Sequence, residues 1–271
     1  GATGTVQRQI SWEHHLQTPL GTLLALAEHL RQDVSRPGTA YDVSRRSISA
    51  LALGLNGSAG VHSWQANLRR DRNSQFGTPT TGSLAYGLDV LPGLRATASL
   101  GKSFVAPSFN QLYYPGFGNP ALLPEEGRSR ELALRWRQGG VQASLAYFEQ
   151  RIRGYISSGP NPGNIPRTRI DGVSASVDAD LGAWSLAASF DGTDPVNTTA
   201  GSANAGKLLP RRATESLRVS ADWRGPGFTL GGTLKASGPR FDDAANTRPI
   251  AGHATLDLRA DWPLAPGWSL G

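Results

Sequence analysis

The feature that most constrains the fold is an alternation of apolar and polar residues that recurs through most of the chain. From His62 to Leu68 the even positions are His, Trp, Ala and Leu, while the odd positions from Ser63 to Arg69 are Ser, Gln, Asn and Arg. The same alternation recurs near 80–89, 131–137, 173–181, 216–223 and 255–262. A period of two over about ten residues is typical of membrane β-barrel strands, in which one face meets lipid and the other faces the lumen.

The connections between these segments alternate in length. Short turns are expected near 18–21, 56–60, 91–93, 138–140, 181–183, 224–227 and 263–267. Long loops rich in Gly, Pro and Asn are expected near 33–45, 71–79, 103–128, 153–168, 193–212 and 237–252. Short periplasmic turns with long outer loops are how outer-membrane barrels are built. The sequence therefore predicts an all-β, antiparallel transmembrane barrel segment of about 14 strands, the first near Thr5 and the last cut off at Gly271, with residues 20–30 in a strand although their spacing also suits a helix.

The tryptophans support the same interpretation. All seven share the parity of the apolar face, and we expect each to lie within a few residues of a short turn, as a girdle at one lipid–water interface. They are Trp12, Trp64, Trp136, Trp184, Trp223, Trp262 and Trp268. The alternative is a set of core tryptophans in a soluble β protein, which explains their parity but not their shared end.

Composition excludes other classes. The chain has 271 residues, of which 38% are hydrophobic, and no apolar run reaches the ~18 residues of a transmembrane helix. It has no Cys, hence no disulfide or cysteine metal site, and it has no opening Met or signal peptide, so an internal fragment of a longer precursor is expected. The net charge is +6, but the arginines are scattered singly, so nucleic-acid binding is not predicted. A charge facing the lumen or lipopolysaccharide fits better.

No enzyme is predicted. Adjacent strand residues point to opposite faces, so His14 and His15 are poorly placed to share a ligand. The chain shows no His-x-x-x-His or Asp-x-Asp metal spacing and no Gly-x-Ser-x-Gly. Neither catalytic residues nor metal ligands are therefore expected, and no cofactor is expected in this segment.

Several stretches resemble a known family. Residues 101–125 read Gly-Lys-Ser-Phe-Val-Ala-Pro-Ser-Phe-Asn-Gln-Leu-Tyr-Tyr-Pro-Gly-Phe-Gly-Asn-Pro-Ala-Leu-Leu-Pro-Glu, which is similar to the Ser-Phe-x-Ala-Pro … Leu-Tyr … Gly-Asn-Pro-x-Leu-x-Pro-Glu motif of TonB-dependent receptors. Asp-Arg-Asn-Ser-Gln-Phe-Gly at 71–77, Pro-Gly-Thr-Ala-Tyr at 37–41 and Leu-Leu-Pro-Arg-Arg-Ala at 208–213 resemble loops of the cobalamin transporters. Ile-Asp-Gly-Val at 170–173 resembles a strand start of the wider superfamily.

The resemblance covers essentially the whole chain and implies that residues 1–271 are part of a 22-stranded receptor barrel. The family's plug domain and TonB box are absent from these residues, and its closing strands would follow Gly271. Calcium-binding loops, if present, would lie before Gly1. The implied location is the outer membrane of a Gram-negative cell, and the implied partners are the transported ligand, TonB through the plug, outer-membrane lipid and lipopolysaccharide.

Two groups of residues are candidate ligand contacts. Arg211 and Arg212 open a strand at the outer rim, and Arg240 closes the next strand there; Arg donors suit the amides and phosphodiester of a cobalamin. Arg211 matches a ligand-contacting loop position of the family. The alternative is that these arginines bridge lipopolysaccharide phosphates or loop carboxylates such as Asp242 and Asp243. Residues Tyr113, Tyr114 and Phe117 form either an aromatic contact surface over the lumen or the packing of their own loop.

The predicted function is TonB-dependent active uptake of cobalamin or a related corrinoid, with no chemistry on the ligand. The nearest alternative is a TonB-dependent receptor for a ferric siderophore, haem or another metal chelate, because the Ser-Phe-x-Ala-Pro motif is common to the superfamily. Alternatives of other classes are a passive porin and a soluble adhesion or sandwich protein. A plug with a TonB box would exclude the porin.

Overall fold

The chain is almost entirely β-structure in a computed structural model that describes residues 3–38, 41–157, 161–265 and 268–270. The strands before the helix are β1 (Gly4–Thr18), β2 (Gly21–Ser35), β3 (Arg45–Ala59), β4 (His62–Asn73), β5 (Thr80–Leu91) and β6 (Leu94–Val105). One short helix follows, α1 (Phe109–Tyr113). The remaining strands are β7 (Glu125–Gln138), β8 (Val141–Ser157), β9 (Gly163–Leu181), β10 (Trp184–Asn197), β11 (Glu215–Gly225), β12 (Phe228–Ser237), β13 (Arg240–Phe241), β14 (Pro249–Ile250), β15 (His253–Ala265) and β16 (Trp268–Leu270).

A single antiparallel sheet of fourteen strands forms the wall, in the order β1 to β12, then β15 and β16. Strands β13 and β14 pair separately. Each strand of the wall pairs with its neighbours in sequence, as in a β-meander, and the predicted all-β antiparallel fold of about fourteen strands is confirmed. Residues 20–30, whose spacing also suited a helix, lie almost wholly in β2 and are strand.

The alternation of connection lengths is also confirmed. Strands β1 and β2, β3 and β4, β5 and β6, β7 and β8, β9 and β10, and β11 and β12 are joined by two-residue turns, all at one end of the sheet. The opposite end, called here the long-loop end, carries connections 36–44, 74–79, 106–124, 198–214 and 238–252. Of the predicted turn at 263–267, residues 266 and 267 lie outside the described residues.

The long loop predicted at 153–168 is wrong in extent. Strands β8 and β9 pair as far as Ser157 and Gly163, with Tyr155 opposite Ile165. The Gly and Pro that suggested a loop occupy an irregularity inside the pairing, where Gly154 has a φ of 67°. It stands across from Pro166, which has no N–H to donate, and a strand tolerates proline at such irregularities.

The pairing register divides the side chains into two faces. Direct partners share a face, so Leu53, Leu68, Leu84, Leu100, Leu132, Leu134 and Leu145 all lie on one side of the wall. Each of these seven exposes 47–63% of its surface. An exposed apolar surface of this extent is stable only when lipid or another apolar partner covers it. We call it the apolar face.

The opposite face carries polar and charged side chains, as a barrel lumen requires. Arg69 contacts Glu28 and Asp71 across strands β2 to β4, each at 2.9 Å. Arg95 pairs with Asp89 at 2.7 Å, Lys235 with Asp257 at 3.1 Å, and Arg259 with Asp222. The mixed charges of this lumen face therefore largely neutralise one another within the wall.

Aromatic rings gather at the end of the apolar face that carries the two-residue turns. Ring centroids lie 6.4 Å apart for Trp184 and Trp223, 5.3 Å for Trp223 and Phe228, and 5.5 Å for Phe228 and Trp262. The indole N–H of Trp64 donates to the Leu20 carbonyl at 3.0 Å in the first turn. An apolar ring with one satisfied N–H suits a lipid–water boundary.

Trp12 departs from this arrangement, because it lies mid-strand in β1 opposite Ala27. It keeps the apolar-face parity and is 60% exposed. The side chain of Trp268 lies outside the described residues. No helix among the described residues is long and apolar enough to cross a membrane.

Candidate functional site: the loop assembly at the long-loop end

The connections at the long-loop end pack into an ordered assembly, and a buried arginine lies at its centre. Arg46, at the start of β3, is only 4% exposed. Its guanidinium donates to the Gln75 side chain at 2.6 Å and to the Pro107 carbonyl at 2.9 Å. It also lies over the rings of Phe76 and Phe109, at 5.1 and 4.8 Å. One cation therefore joins β3 to the β4–β5 and β6–β7 connections.

The 71–77 sequence folds as a turn that presents two of these partners. The Asn73 side chain accepts the backbone N–H groups of Gln75 and Phe76, at 2.9 and 3.3 Å. The Asn73 N–H donates to the Gly77 carbonyl at 2.8 Å, and Gly77 has a φ of 71°. Asn with its self-capping side chain and Gly with its left-handed backbone are the residues that such a turn needs.

The 101–125 sequence folds into α1 and a loop that closes on the wall. Ser108 caps the helix reciprocally with Gln111, as in a capping box. Leu122 is buried, and the Asn119 side chain donates to the Pro162 carbonyl at 3.1 Å. The Glu125 carboxylate accepts the Ile156 N–H at 2.6 Å. Four residues of the 101–125 motif therefore stabilise the fold of this loop: Ser108, Asn119, Leu122 and Glu125.

The three candidate aromatic residues lie in this loop. The Tyr113 hydroxyl accepts a hydrogen bond from Gln75 at 3.0 Å, and its ring packs against buried Leu112, Leu122 and Ile156. Tyr114 packs on a second cluster, and Arg36 lies 4.7 Å above its ring. Phe117 is the most exposed of the three, at 37%. These contacts match the packing alternative for the two tyrosines, and ligand contact by all three stays a prediction.

Tyr41 anchors the 37–41 sequence, and its hydroxyl donates to Asn110 at 2.8 Å. Its ring is buried with Val34 and Phe109. Thr39 and Ala40 of the same motif lie outside the described residues.

Arg211 and Arg212 lie in the β10–β11 connection, and β11 begins only at Glu215, so the expectation that they open a strand is wrong. Arg211 pairs with Asp242 at 2.7 Å, and Asp242 also pairs with Arg248 at 3.2 Å. The backbone of Arg211 is left-handed, with a φ of 61°, and its N–H donates to the Phe241 carbonyl at 2.6 Å. A non-glycine residue in that region is uncommon and is held by its surroundings.

Arg212 and Arg240 contact different parts of the wall. The Arg212 guanidinium donates to the Tyr155 hydroxyl at 3.0 Å and lies 5.3 Å from the centre of that ring. Arg240 does not close β12, which ends at Ser237, but begins the short strand β13 opposite Ile250. The expectation that Arg240 closes a wall strand is therefore wrong, because residues 238–239 separate it from the sheet.

The loop that carries Asp242 is organised by Asp243 and Asn246. The Asp243 carboxylate accepts backbone N–H groups from Ala245, Thr247 and Arg248, at 2.8–3.3 Å, and the Thr247 hydroxyl at 2.9 Å. Partial burial acts to raise the pKa of Asp243, but these hydrogen bonds outweigh it and hold the pKa below its ordinary value. Asn246 exchanges two hydrogen bonds with Leu208, at 2.8 and 3.0 Å, which fixes this loop to the β10–β11 connection.

The two candidate groups meet the wall at neighbouring residues of β8. The Tyr155 hydroxyl accepts the hydrogen bond from Arg212, and its ring packs with buried Ile170 and Leu209. The next residue, Ile156, packs with the cluster that contains Tyr113. Sequence reasoning missed Arg46 and Asn246, whose roles depend on loops meeting in space. In the part of the chain that the structure describes, no cluster of three His, Asp or Glu side chains could hold a metal ion.

The fold and its two faces define the class as the wall of a transmembrane β-barrel. Residues 7–271 match the family model described as "TonB dependent receptor-like, beta-barrel". The chain belongs to this family of outer-membrane receptors and transporters of Gram-negative bacteria, which are not enzymes.

Two curated relatives share sequence along most of the chain. The vitamin B12 transporter BtuB of Photobacterium profundum is 28% identical over 265 residues, which cover 93% of this chain and 43% of that protein. The vitamin B12 transporter BtuB of Vibrio vulnificus is 26% identical over 276 residues, covering 98% and 44%. The chain thus spans less than half the length of these relatives.

Solved structures share the fold. A mutant of the ferric enterobactin receptor PfeA of Pseudomonas aeruginosa superposes with a TM-score of 0.78 at 17% identity, covering 97% of this chain and 47% of that one. The siderophore receptor PirA of Acinetobacter baumannii gives 0.77 at 14% identity, covering 97% and 49%. At these identities the likeness concerns the fold alone.

Proposed function

We propose that the chain is the middle-to-late barrel wall of a receptor for TonB-dependent active uptake of cobalamin or a related corrinoid. The observation that carries this proposal is the pair of relatives named vitamin B12 transporters, at 28% and 26% identity. Support also comes from the 71–77 and 208–213 sequences, which resemble cobalamin-transporter loops and lie in the loop assembly at the long-loop end.

In this function the chain binds and orients the ligand and does no chemistry on it. The loops at the long-loop end face the exterior, where the donors of Arg211, Arg212 and Arg240 suit the amides and phosphodiester of a corrinoid. Phe117 offers an exposed apolar ring elsewhere in the same assembly. The neutralised lumen wall suits a passage filled by another domain better than a pore selective for one sign of charge.

The proposed partners follow from this function. In this proposal TonB acts through a plug domain that lies outside these residues, and any calcium dependence comes from barrel loops that would precede Gly1. Outer-membrane lipid and lipopolysaccharide cover the apolar face.

The alternative substrate is a ferric siderophore or another metal chelate. The structural neighbours named as ferric enterobactin and siderophore receptors are the observation in its favour. Their identity of 14–17% makes this weaker support than the cobalamin relatives give.

The test is a titration of cyanocobalamin into the detergent-purified full-length receptor, followed by tryptophan fluorescence, with a ferric siderophore as the comparison ligand. The proposal predicts saturable quenching by cobalamin alone. Saturable binding of the siderophore with no response to cobalamin, with or without calcium, would move the substrate to a metal chelate.

A substitution of Arg211 tests the proposed ligand contact at a single residue. Arg211→Ala removes a proposed donor to the ligand, and we expect affinity to fall about tenfold, the effect of losing roughly 1.4 kcal/mol. Arg248→Ala is the matched control, because Arg248 pairs with the same carboxylate of Asp242. Equal losses in the two variants would show that Arg211 acts only by ordering the loop.

A further inference from the structure

Six cations cluster on the apolar face, outside the loop assembly. Lys102, Arg128 and Arg151 are direct cross-strand partners on β6, β7 and β8, and Arg169 of β9 continues the row. Arg153 and Arg167 form the next pair towards the long-loop end. All six line one groove of about 500 Å³, and among the described residues that line it Glu126 is the only carboxylate. We call these six residues the cation groove.

The cation groove begins where the apolar surface stops. On the same face, the row Ala98, Leu132, Tyr147 and Val173 runs across β6 to β9. The next row towards the long-loop end is Leu100, Arg130, Glu149 and Asp171, and the row of Lys102, Arg128, Arg151 and Arg169 follows. The face thus changes from hydrocarbon-compatible to charged within two residues along each strand, as at the boundary of a membrane's apolar layer.

The charges within the wall do not balance the cation groove. Glu149 contacts Arg130 and Arg151, each at 2.9 Å, and Asp171 contacts Arg169 at 2.7 Å. Among the described residues, no ion pair within 4.0 Å includes Lys102, Arg128, Arg153 or Arg167. Asp194 also lies 3.5 Å from Arg169. Like charges directly opposite each other destabilise an antiparallel pair, so Lys102 opposite Arg128, and Arg153 opposite Arg167, cost stability unless an external anion neutralises them.

We propose that the cation groove binds the phosphate groups of lipopolysaccharide from the outer leaflet of the membrane. The inference rests on the outward orientation of the long-loop end that the proposed function assigns. A phosphorylated glycolipid matches both parts of this surface. Its acyl chains can cover the apolar face, and its phosphates then lie level with the cation groove. Arg holds phosphate oxygens through paired, charge-assisted hydrogen bonds.

The test uses the full-length receptor, purified in a mild detergent and freed of lipid. Native mass spectrometry then counts bound lipid A, the phosphorylated membrane anchor of lipopolysaccharide, against its enzymatically dephosphorylated form. Wild type is expected to retain lipid A at least about tenfold better than the dephosphorylated lipid. The double variant Arg128→Gln/Arg151→Gln is expected to lose that preference, and Arg128→Lys/Arg151→Lys to keep part of it.

The matched control is Arg135→Gln/Arg218→Gln, which removes two arginines from the lumen face, and it is expected to retain lipid A as wild type does. Equal retention by the cation-groove variant and wild type would overturn the proposal, as would equal retention of the two lipids by wild type. Inorganic phosphate serves as the free-anion arm: thermal stabilisation by phosphate equal to that by lipid A would exclude the lipid as the ligand.

Cobalamin binding distinguishes this proposal from the function on which it rests. The variant Arg128→Gln/Arg151→Gln is expected to bind cyanocobalamin as wild type does, because the cation groove is on the other side of the wall from the lumen. Loss of the lipid preference with cobalamin binding intact supports the site. Failure of wild type to bind cobalamin while the lipid preference persists would count against the substrate alone.

Discussion

We expect the largest single-residue effect at Arg46, because its buried cation contacts two separate connections of the loop assembly. Arg46→Ala leaves the Gln75 side chain and the Pro107 carbonyl without their donor, so we expect a loss of about 2–4 kcal/mol of local stability. Limited proteolysis of the full-length receptor should show faster cleavage within 106–124. Arg46→Lys should restore little, because a lysine cannot donate to both partners in a planar fork.

The neighbouring Arg45→Ala is the control. Arg45 is 64% exposed and pairs with Asp33 at the surface, so we expect wild-type cleavage rates. Equal protection of 106–124 in the Arg46→Ala variant would show that the loop is ordered without the cation.

We expect the stability of the loop around Asp243 to depend on pH. Its pKa is lowered in the folded chain by the backbone and Thr247 hydrogen bonds, so its stabilising contribution is present above about pH 4. That contribution is lost as the pH falls through the lowered pKa of the folded chain. Hydrogen exchange at the amides of Thr247 and Arg248 should therefore accelerate in acid, after correction for the intrinsic exchange rate.

The comparison variant is Asp243→Asn, which has one acceptor oxygen and no charge. It should show weaker protection at neutral pH and no further loss in acid. Protection that stays constant in wild type down to about pH 2, well below the ordinary aspartate pKa, would contradict this account.

At the residue scale the sequence located motifs but not their contacts. The 71–77 and 101–125 sequences were recognisable as patterns, yet the partners of Gln75, Phe76 and Pro107 around Arg46 were not. That contact brings together residues 29 and 61 positions away from Arg46 in sequence. No local periodicity encodes such a meeting.

At the scale of strands and turns the sequence was more informative, because period two and two-residue turns are local properties. It failed where local composition and pairing disagree: the Gly and Pro near 154–166 suggest a loop, while the pairing extends to Ser157 and Gly163. It also placed Arg240 in the wrong strand, because a two-residue strand such as β13 has no periodicity to detect.

A substitution at Gly172 tests how closely the neighbouring strands pack. A Cβ added there would lie 2.4 Å from the Gly192 carbonyl oxygen and 2.9 Å from the Phe148 ring. Gly172→Ala should therefore destabilise the barrel by about 1–3 kcal/mol through overpacking. The thermal midpoint of the full-length receptor, read from its heat-dependent mobility on a gel, measures this.

Gly163 lies in the same strand, β9, and an added Cβ there meets nothing within 4 Å. Gly163→Ala should leave stability unchanged or raise it by about 0.5 kcal/mol. If both alanine variants had the same thermal midpoint, the close approach at Gly172 would not limit packing.

At the scale of the whole molecule, the assignment of lipid and lumen faces can be tested by one charge. Leu134 is 47% exposed on the apolar face between Leu132 and Trp136. Leu134→Arg should cost about 2–4 kcal/mol of folding free energy in liposomes. Gln142→Arg, on the lumen face of β8, should cost less than about 1 kcal/mol, as lumen substitutions do not meet hydrocarbon. Equal costs would contradict the assignment of the faces.

The central claim, that this wall belongs to an energised cobalamin receptor, is tested most directly by uptake of labelled cyanocobalamin into cells that carry the full-length protein. We expect saturable accumulation that stops when TonB is removed or the proton gradient is collapsed. Cobalamin that fails to accumulate, or small solutes that pass regardless of TonB, would contradict it.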